Sequence, residues 1–144
     1  MNQGQRANLS GKMFHEKWCA SLEKMGYTLQ KPPGYKALWH GKRLNKTDIY
    51  IPEGDIQIEC KYQAVSGTCD QKPFAEIWNA HERVKCNYYI LLFGGRHWKE
   101  NARGINIFKE AKKMADKLNS IPSRHGAKEI KVMDSDELRG WLDE

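Results

Sequence analysis

The chain has 144 residues, with 24 Lys and Arg against 18 Asp and Glu, a formal net charge of +6 and a pI near 9.1. That length suits a single domain with its own core, 1–144, and the basic balance suits a polyanionic partner without naming one. With no visible signal peptide and no apolar run long enough to cross a bilayer, membrane and secretory classes are set aside and a cytoplasmic protein is expected. The four cysteines, Cys19, Cys60, Cys69 and Cys86, form no CxxC pair, and no His stands at zinc-finger spacing. Reduced thiols are expected rather than a zinc site or a disulfide framework.

In chain order, residues 1–9 are polar and expected to be flexible. A helix is predicted from Ser10 to Met25, with Phe14, Trp18, Leu22 and Met25 as its apolar stripe and Gly26 as its stop. Lys31-Pro32-Pro33-Gly34 breaks the chain. Tyr35 to His40 is a candidate strand, and Gly41 to Lys46 a basic loop holding Lys42, Arg43 and Lys46. Such a loop either grips phosphates or is a solvated surface.

The stretch from Thr47 to Lys72 carries the chemistry. Thr47 to Ile51 and Ile56 to Gln63 alternate as strands, joined by the four-residue turn Pro52-Glu53-Gly54-Asp55. Ile56, Ile58, Cys60 and Tyr62 fall on one face of the second strand, and Gln57, Glu59, Lys61 and Gln63 on the other. Pairing Ile51 with Ile56 sets Ile49 against Ile58 and Asp48 directly against Glu59. Facing Cβ atoms lie about 4.5–5.5 Å apart, so two like charges there need something positive between them. Oxygen ligands at that spacing suit a hard ion such as Mg²⁺.

Ala64 to Cys69 reads as a turn. A helix follows from about Pro73, with Asp70 as a candidate cap, Phe74, Ile77, Trp78, His81 and Val84 on one face, and His81 packed at the core edge. Lys72 stands near its start, within reach of a phosphate or of solvent. Cys86 to Phe93 is an unbroken apolar run before Gly94-Gly95, the pattern of a central strand covered on both faces. Arg96, His97, Trp98 and Lys99 follow, a basic and aromatic cluster suited to phosphate contact and base stacking. Asn106 to Asn119 is an amphipathic helix, Glu129 to Met133 a strand, and Asp134 with Glu137 opens a last helix that packs Leu138, Trp141 and Leu142.

Asp48 followed by Glu59-Cys60-Lys61 reads D-x10-E-x-K, which resembles the PD-(D/E)XK nuclease superfamily, with Thr47 where the family name has Pro. Gln63, Gly67-Thr68 and Lys72 add to the likeness, which is read over roughly residues 10–95. The resemblance implies an α/β fold with a restriction-endonuclease-like αβββαβ core, a mixed central sheet flanked by helices, and here a C-terminal αβα elaboration. It implies a Mg²⁺-dependent DNA endonuclease, with Mn²⁺ able to substitute, hydrolysing phosphodiester bonds by metal-activated water to leave 5′-phosphate and 3′-hydroxyl ends. Asp48, Glu59 and the Cys60 main-chain carbonyl would hold metal, Lys61 would serve the attacking water or the transition state, and Gln63 would orient them. Relatives often carry a metal-binding Glu on the first helix. His15 stands at that position and Glu16 one later, so both remain candidates beside an ordinary surface role. Lys42, Arg43, Lys46, Thr68, Lys72, Arg96 and Lys99 are the candidate DNA contacts, and one site per chain points to a homodimer for double-strand cleavage. A Holliday-junction or structure-specific resolvase of the same fold, a catalytically silent DNA-binding module and a metal-dependent RNase are the alternatives.

Overall fold

The computed structural model describes residues 3–39, 42–63 and 70–144, with residues 3, 4 and 6–8 described in backbone alone. Four strands form the main sheet: β3 (Ile49–Ile51), β4 (Ile56–Tyr62), β5 (Tyr88–Gly94) and β6 (Glu129–Asp134), hydrogen-bonded in that order. β3 runs antiparallel to β4, while β4, β5 and β6 are mutually parallel, so the sheet is mixed. Helices α1 (Gln3–Lys24) and α4 (Ser135–Leu142) pack on one face, and α2 (Lys72–Arg83) and α3 (Ile107–Asn119) on the other. Parallel strands need crossovers; α2 and α3 supply them and cover one face, while α1 and α4, which precede and follow the sheet, cover the other. β1 (Tyr35–Lys36) and β2 (Leu44–Asn45) form a separate two-stranded sheet.

The alternation in β3 and β4 decides which cover each residue meets. Ile49, Ile51, Ile56 and Ile58 pack with Trp18 and Leu22 of α1 and Leu138 of α4. Trp18 also donates its indole N–H to Ser135 Oγ at 3.1 Å, tying the two helices together. Across the sheet, Tyr89, Leu91 and Phe93 of β5 pack with Ile77 and Ala80 of α2 and with Ala111 and Ala115 of α3. β5 is thus apolar throughout because both its faces are covered. Gly94 ends it where α1 crosses: a Cβ there would lie 2.6 Å from the Phe14 ring. Any side chain would push the helix off the strand.

Several boundaries differ from the sequence reading. α1 begins at Gln3 rather than near Ser10, and it ends at Lys24, which leaves Met25 exposed outside the stripe. The strand expected from Tyr35 is short and does not join the main sheet; it pairs with β2 instead. Tyr35 and Ala37 are buried, and the Leu38 N–H donates to Asn79 Oδ1 of α2 at 2.7 Å, so the hairpin is held down by helix contacts rather than by a ladder. Asp70 does not cap α2. The cap position is Gln71, without a side-chain bond, and the Asp70 carboxylate accepts from His97 and Asn101. α3 opens as its sequence asks, with Asn106 accepting from Lys109 N–H, and Asp134 with Glu137 closes a full capping box on α4. The C-terminal α–β–α segment is built into the sheet through β6 rather than appended to it. His81 is buried, its Nε2 2.7 Å from the Ile121 carbonyl oxygen. Cys19, Cys60 and Cys86 are free thiols; Cys69 lies outside the described residues. Among the described residues no helix is long and apolar enough to cross a membrane.

Candidate active site

The site grows from the end of β3. Thr47 is buried, and its hydroxyl donates to Gln57 Oε1 at 2.8 Å beneath the hairpin, which fixes the chain just ahead of Asp48. The pairs Ile49↔Ile58, Tyr50↔Gln57 and Ile51↔Ile56 follow the expected register. One residue further the ladder closes differently. The Asp48 N–H donates to the Ile58 carbonyl at 3.1 Å, and Asp48 Oδ2 accepts the Cys60 N–H at 2.8 Å. β3 has ended there, so a side chain takes the donor that a strand would have covered. The Cys60 carbonyl is directed to the same side as its N–H, as in any extended strand.

Asp48 Oδ2, held by the Cys60 N–H, stands next to the Glu59 carboxyl. Glu59 is only 9% exposed. Burial first, then the bond to Asp48 and its charge, push the Glu59 pKa well above the ordinary carboxylate range, with Lys61 acting the other way. Lys61 Nζ lies 3.8 Å from Glu59 Oε2 and 3.1 Å from Glu76 Oε1. Burial favours the neutral amine, but Glu59 and Glu76 outweigh it and raise the Lys61 pKa, so it stays an ammonium. Glu76 was not anticipated from the sequence. It sits one turn after Lys72 at the border of the α2 apolar stripe, a position shared by many solvated glutamates, and only the packing of α2 over β4 turns it inward.

Above this face opens a cleft of about 310 Å³. Glu59 and Glu76 line one side, with Tyr35 and Asn45, and Arg43 and Lys46 of the hairpin line it too. Two of the three basic-loop residues are thus brought to the carboxylates, while Lys42 is exposed beside them. Burial, then Glu76 and Glu59, push the Tyr35 phenol up.

The other candidates divide. Among the described residues no group of three His, Cys, Asp or Glu forms a metal cluster; of the two first-helix candidates, His15 is half-buried and Glu16 is exposed and paired with Lys12 at 3.8 Å. Glu16 points away because the apolar stripe of α1 turns the opposite side of the helix to the sheet. Gln63 is fixed by its backbone, donating to Gly94 O and accepting from His97 N–H. Lys72 is exposed in the first turn of α2, and Thr68 lies outside the described residues. Arg96 is exposed, but the cluster around it is not a stacking surface. His97 and Trp98 are each 3% exposed. Trp98 packs on Phe93 and Phe108 and donates its indole N–H to the Lys61 carbonyl at 3.1 Å; His97 Nε2 meets Asp70 Oδ1 at 2.5 Å. Lys99 is paired with Asp134 at 2.9 Å. These side chains fold back because Trp98 and Lys99 find partners at the ends of β4 and β6, and His97 finds one just ahead of α2.

A family model described as a PD-(D/E)XK nuclease superfamily domain matches residues 6–144. The chain belongs to the PD-(D/E)XK nuclease superfamily. The match runs through α3, β6 and α4, beyond the stretch over which the sequence resembles the family. PD-(D/E)XK nucleases generally use divalent metals, and the residues here fit one. A buried carboxyl forced up by its neighbour is relieved by a dication, and Mg²⁺ is commonly held by one or two carboxylates with water and substrate oxygens completing its shell. Curated proteins and solved structures give no match.

Proposed function

We propose that the protein is a Mg²⁺-dependent DNA endonuclease with Asp48, Glu59 and Lys61 at its centre. The observation that carries this reading is Asp48 Oδ2 held at the N–H of Cys60, the residue between Glu59 and Lys61, with Lys61 3.8 Å from Glu59 and with Glu59, Arg43 and Lys46 lining one cleft. Asp48, Glu59 and the Cys60 carbonyl would hold the ion, with Mn²⁺ able to replace Mg²⁺, and the bound ion would supply a water of lowered pKa and a polarised phosphoryl oxygen. Lys61 directs N–H donors to the attacking water and to the charge that grows on phosphorus. Gln63, at the end of the same strand face, orients that water or the phosphate. Arg43 and Lys46, with Lys42, Lys72 and Arg96 further out, contact flanking phosphates and set the strand over the cleft. Water attacks in line with the O3′ leaving oxygen, so the products carry a 5′-phosphate and a 3′-hydroxyl. With one site per chain, two copies acting together cut both strands.

The test is incubation of supercoiled plasmid with the protein in millimolar Mg²⁺ or in chelator, with an RNA transcript in parallel. Nicked or linear DNA in Mg²⁺ alone, religatable by DNA ligase, is the expected result. Intact plasmid under both conditions, or cutting confined to RNA, would overturn the reading.

A further inference from the structure

Glu76 is the carboxylate that the D-x10-E-x-K spacing does not ask for. Its Oε1 is nearer Lys61 Nζ than Glu59 is, 3.1 Å against 3.8 Å, and the Glu76 and Lys61 side chains are each only 20% exposed. A lysine has a flexible stem, so a second fixed partner narrows where its ammonium can go. Glu59, at 3.8 Å, is the more distant of the two partners. Tyr35, which lines the same cleft, is buried, and the Tyr89 hydroxyl is fully buried with no partner among the described residues. In such a setting an ion pair is strong and also directional.

The two anchors come from different elements. Glu59 fixes the ammonium relative to β4, and Glu76 fixes it relative to α2, which carries Lys72 one turn earlier on the same stripe. We infer that Glu76 is a positioning residue for Lys61: it takes one of the three N–H donors of the ammonium and turns the others toward Glu59 and the scissile phosphate. This rests on the nuclease reading above. Without Glu76, the Lys61 ammonium is held only by Glu59, and its stem is free to swing away from the phosphate.

Glu76→Gln keeps the shape of the side chain and removes its charge. Two readouts on wild type and this variant test the inference: plasmid cleavage in Mg²⁺ resolved into kcat and KM, and the ¹H–¹⁵N signal of the Lys61 ζ-ammonium, assigned by its loss in Lys61→Arg. The variant is expected to lose about tenfold to about 100-fold in kcat, the scale of a reacting group displaced by about 1 Å, with KM little changed. The Lys61 signal, sharp in wild type because the pair slows proton exchange, is expected to broaden beyond detection. A helix anchor alone would lower the melting temperature and leave kcat and the signal in place, and that outcome overturns the inference. So does a lower kcat with the Lys61 signal unchanged. Wild-type protein that cuts no nucleic acid sinks the nuclease reading itself, whereas wild type and Glu76→Gln cutting equally fast sinks this inference alone.

Discussion

Glu59 pays for its position. Its carboxyl is buried, touches the Asp48 carboxyl and is pushed well above the ordinary range, burial being the larger cause. Glu59→Gln and Asp48→Asn keep the shapes and leave one ionisable carboxyl where there were two; in Asp48→Asn the amide oxygen can still accept the Cys60 N–H. Each variant should melt above wild type in chelator, by about 3–6 °C if the relief is worth about 1 kcal/mol in a chain of this size. Millimolar Mg²⁺ should raise wild type and barely move the variants, because only a folded site with both carboxylates binds it. Thermal melts of the three proteins with and without metal check this; variants that melt lower in chelator and gain as much from metal would mean the carboxylates share no cation. The sequence reached these residues because a strand has period two and a short turn fixes its register, so D-x10-E-x-K translates directly into neighbours in space. Glu76 and the Thr47–Gln57 bond escaped it, since both depend on which face of β4 is covered. Polar alternation suggests a wet face, yet Gln57 is 2% exposed.

At the scale of elements, the hairpin β1–β2 and the segment after β5, both candidate DNA contacts by composition, part company. The aromatic and basic cluster at 96–99 looked like the surface for a strand, but Trp98 and His97 are core residues and Lys99 is paired. The short loop at 42–46 carries Arg43 and Lys46 to the cleft, and neither makes a salt bridge among the described residues. Composition cannot separate the two, because burial of the 96–99 segment depends on acceptors far along the chain: the Lys61 carbonyl and Asp70. DNA affinity should therefore fall steeply with salt. Arg43→Ala should flatten the slope of log K against log salt by about one unit, while Lys99→Ala leaves it nearly unchanged. Equal slopes for wild type and Arg43→Ala would return the loop to the solvated surface.

The Asp70–His97–Asn101 cluster gives the same region a pH dependence. The hydrogen bond from His97 is the chief cause that lowers the Asp70 pKa; burial opposes it, and the bond from Asn101 adds to the lowering. A carboxylate lowered in the folded state contributes stability above its unfolded value of about 3.9, and that contribution is lost as pH falls through the lower folded value. Asp70→Asn should be less stable than wild type at neutral pH and should lose less on acidification. Urea melts at neutral pH and at about pH 3 should show the difference between the two proteins shrinking with acid; a constant difference would remove the ionised carboxylate from the account.

For the molecule as a whole, the order of elements was legible because each speaks in its own period: the stripe of α1, the alternation of β4, the unbroken apolar run of β5 and the caps of α3 and α4. The assembly was less so. Nothing in Tyr35 or Leu44 says that their strands form a separate pair, and nothing in Glu129–Asp134 says that β6 completes the sheet rather than decorating it. Those choices follow from how α2 and α3 cross over the sheet, and it is the α2 crossing that closes the cleft over Glu59 and Lys61. The central claim is that this covered polar face of β4 cuts DNA with metal. The most direct test is single-turnover cleavage of an end-labelled DNA duplex in Mg²⁺ by wild type, Glu59→Gln and Lys61→Ala, with Mn²⁺ binding measured on the same preparations. Cleavage by wild type alone is predicted, with Mn²⁺ binding kept in Lys61→Ala and lost in Glu59→Gln. Cleavage by Glu59→Gln at the wild-type rate would contradict the account.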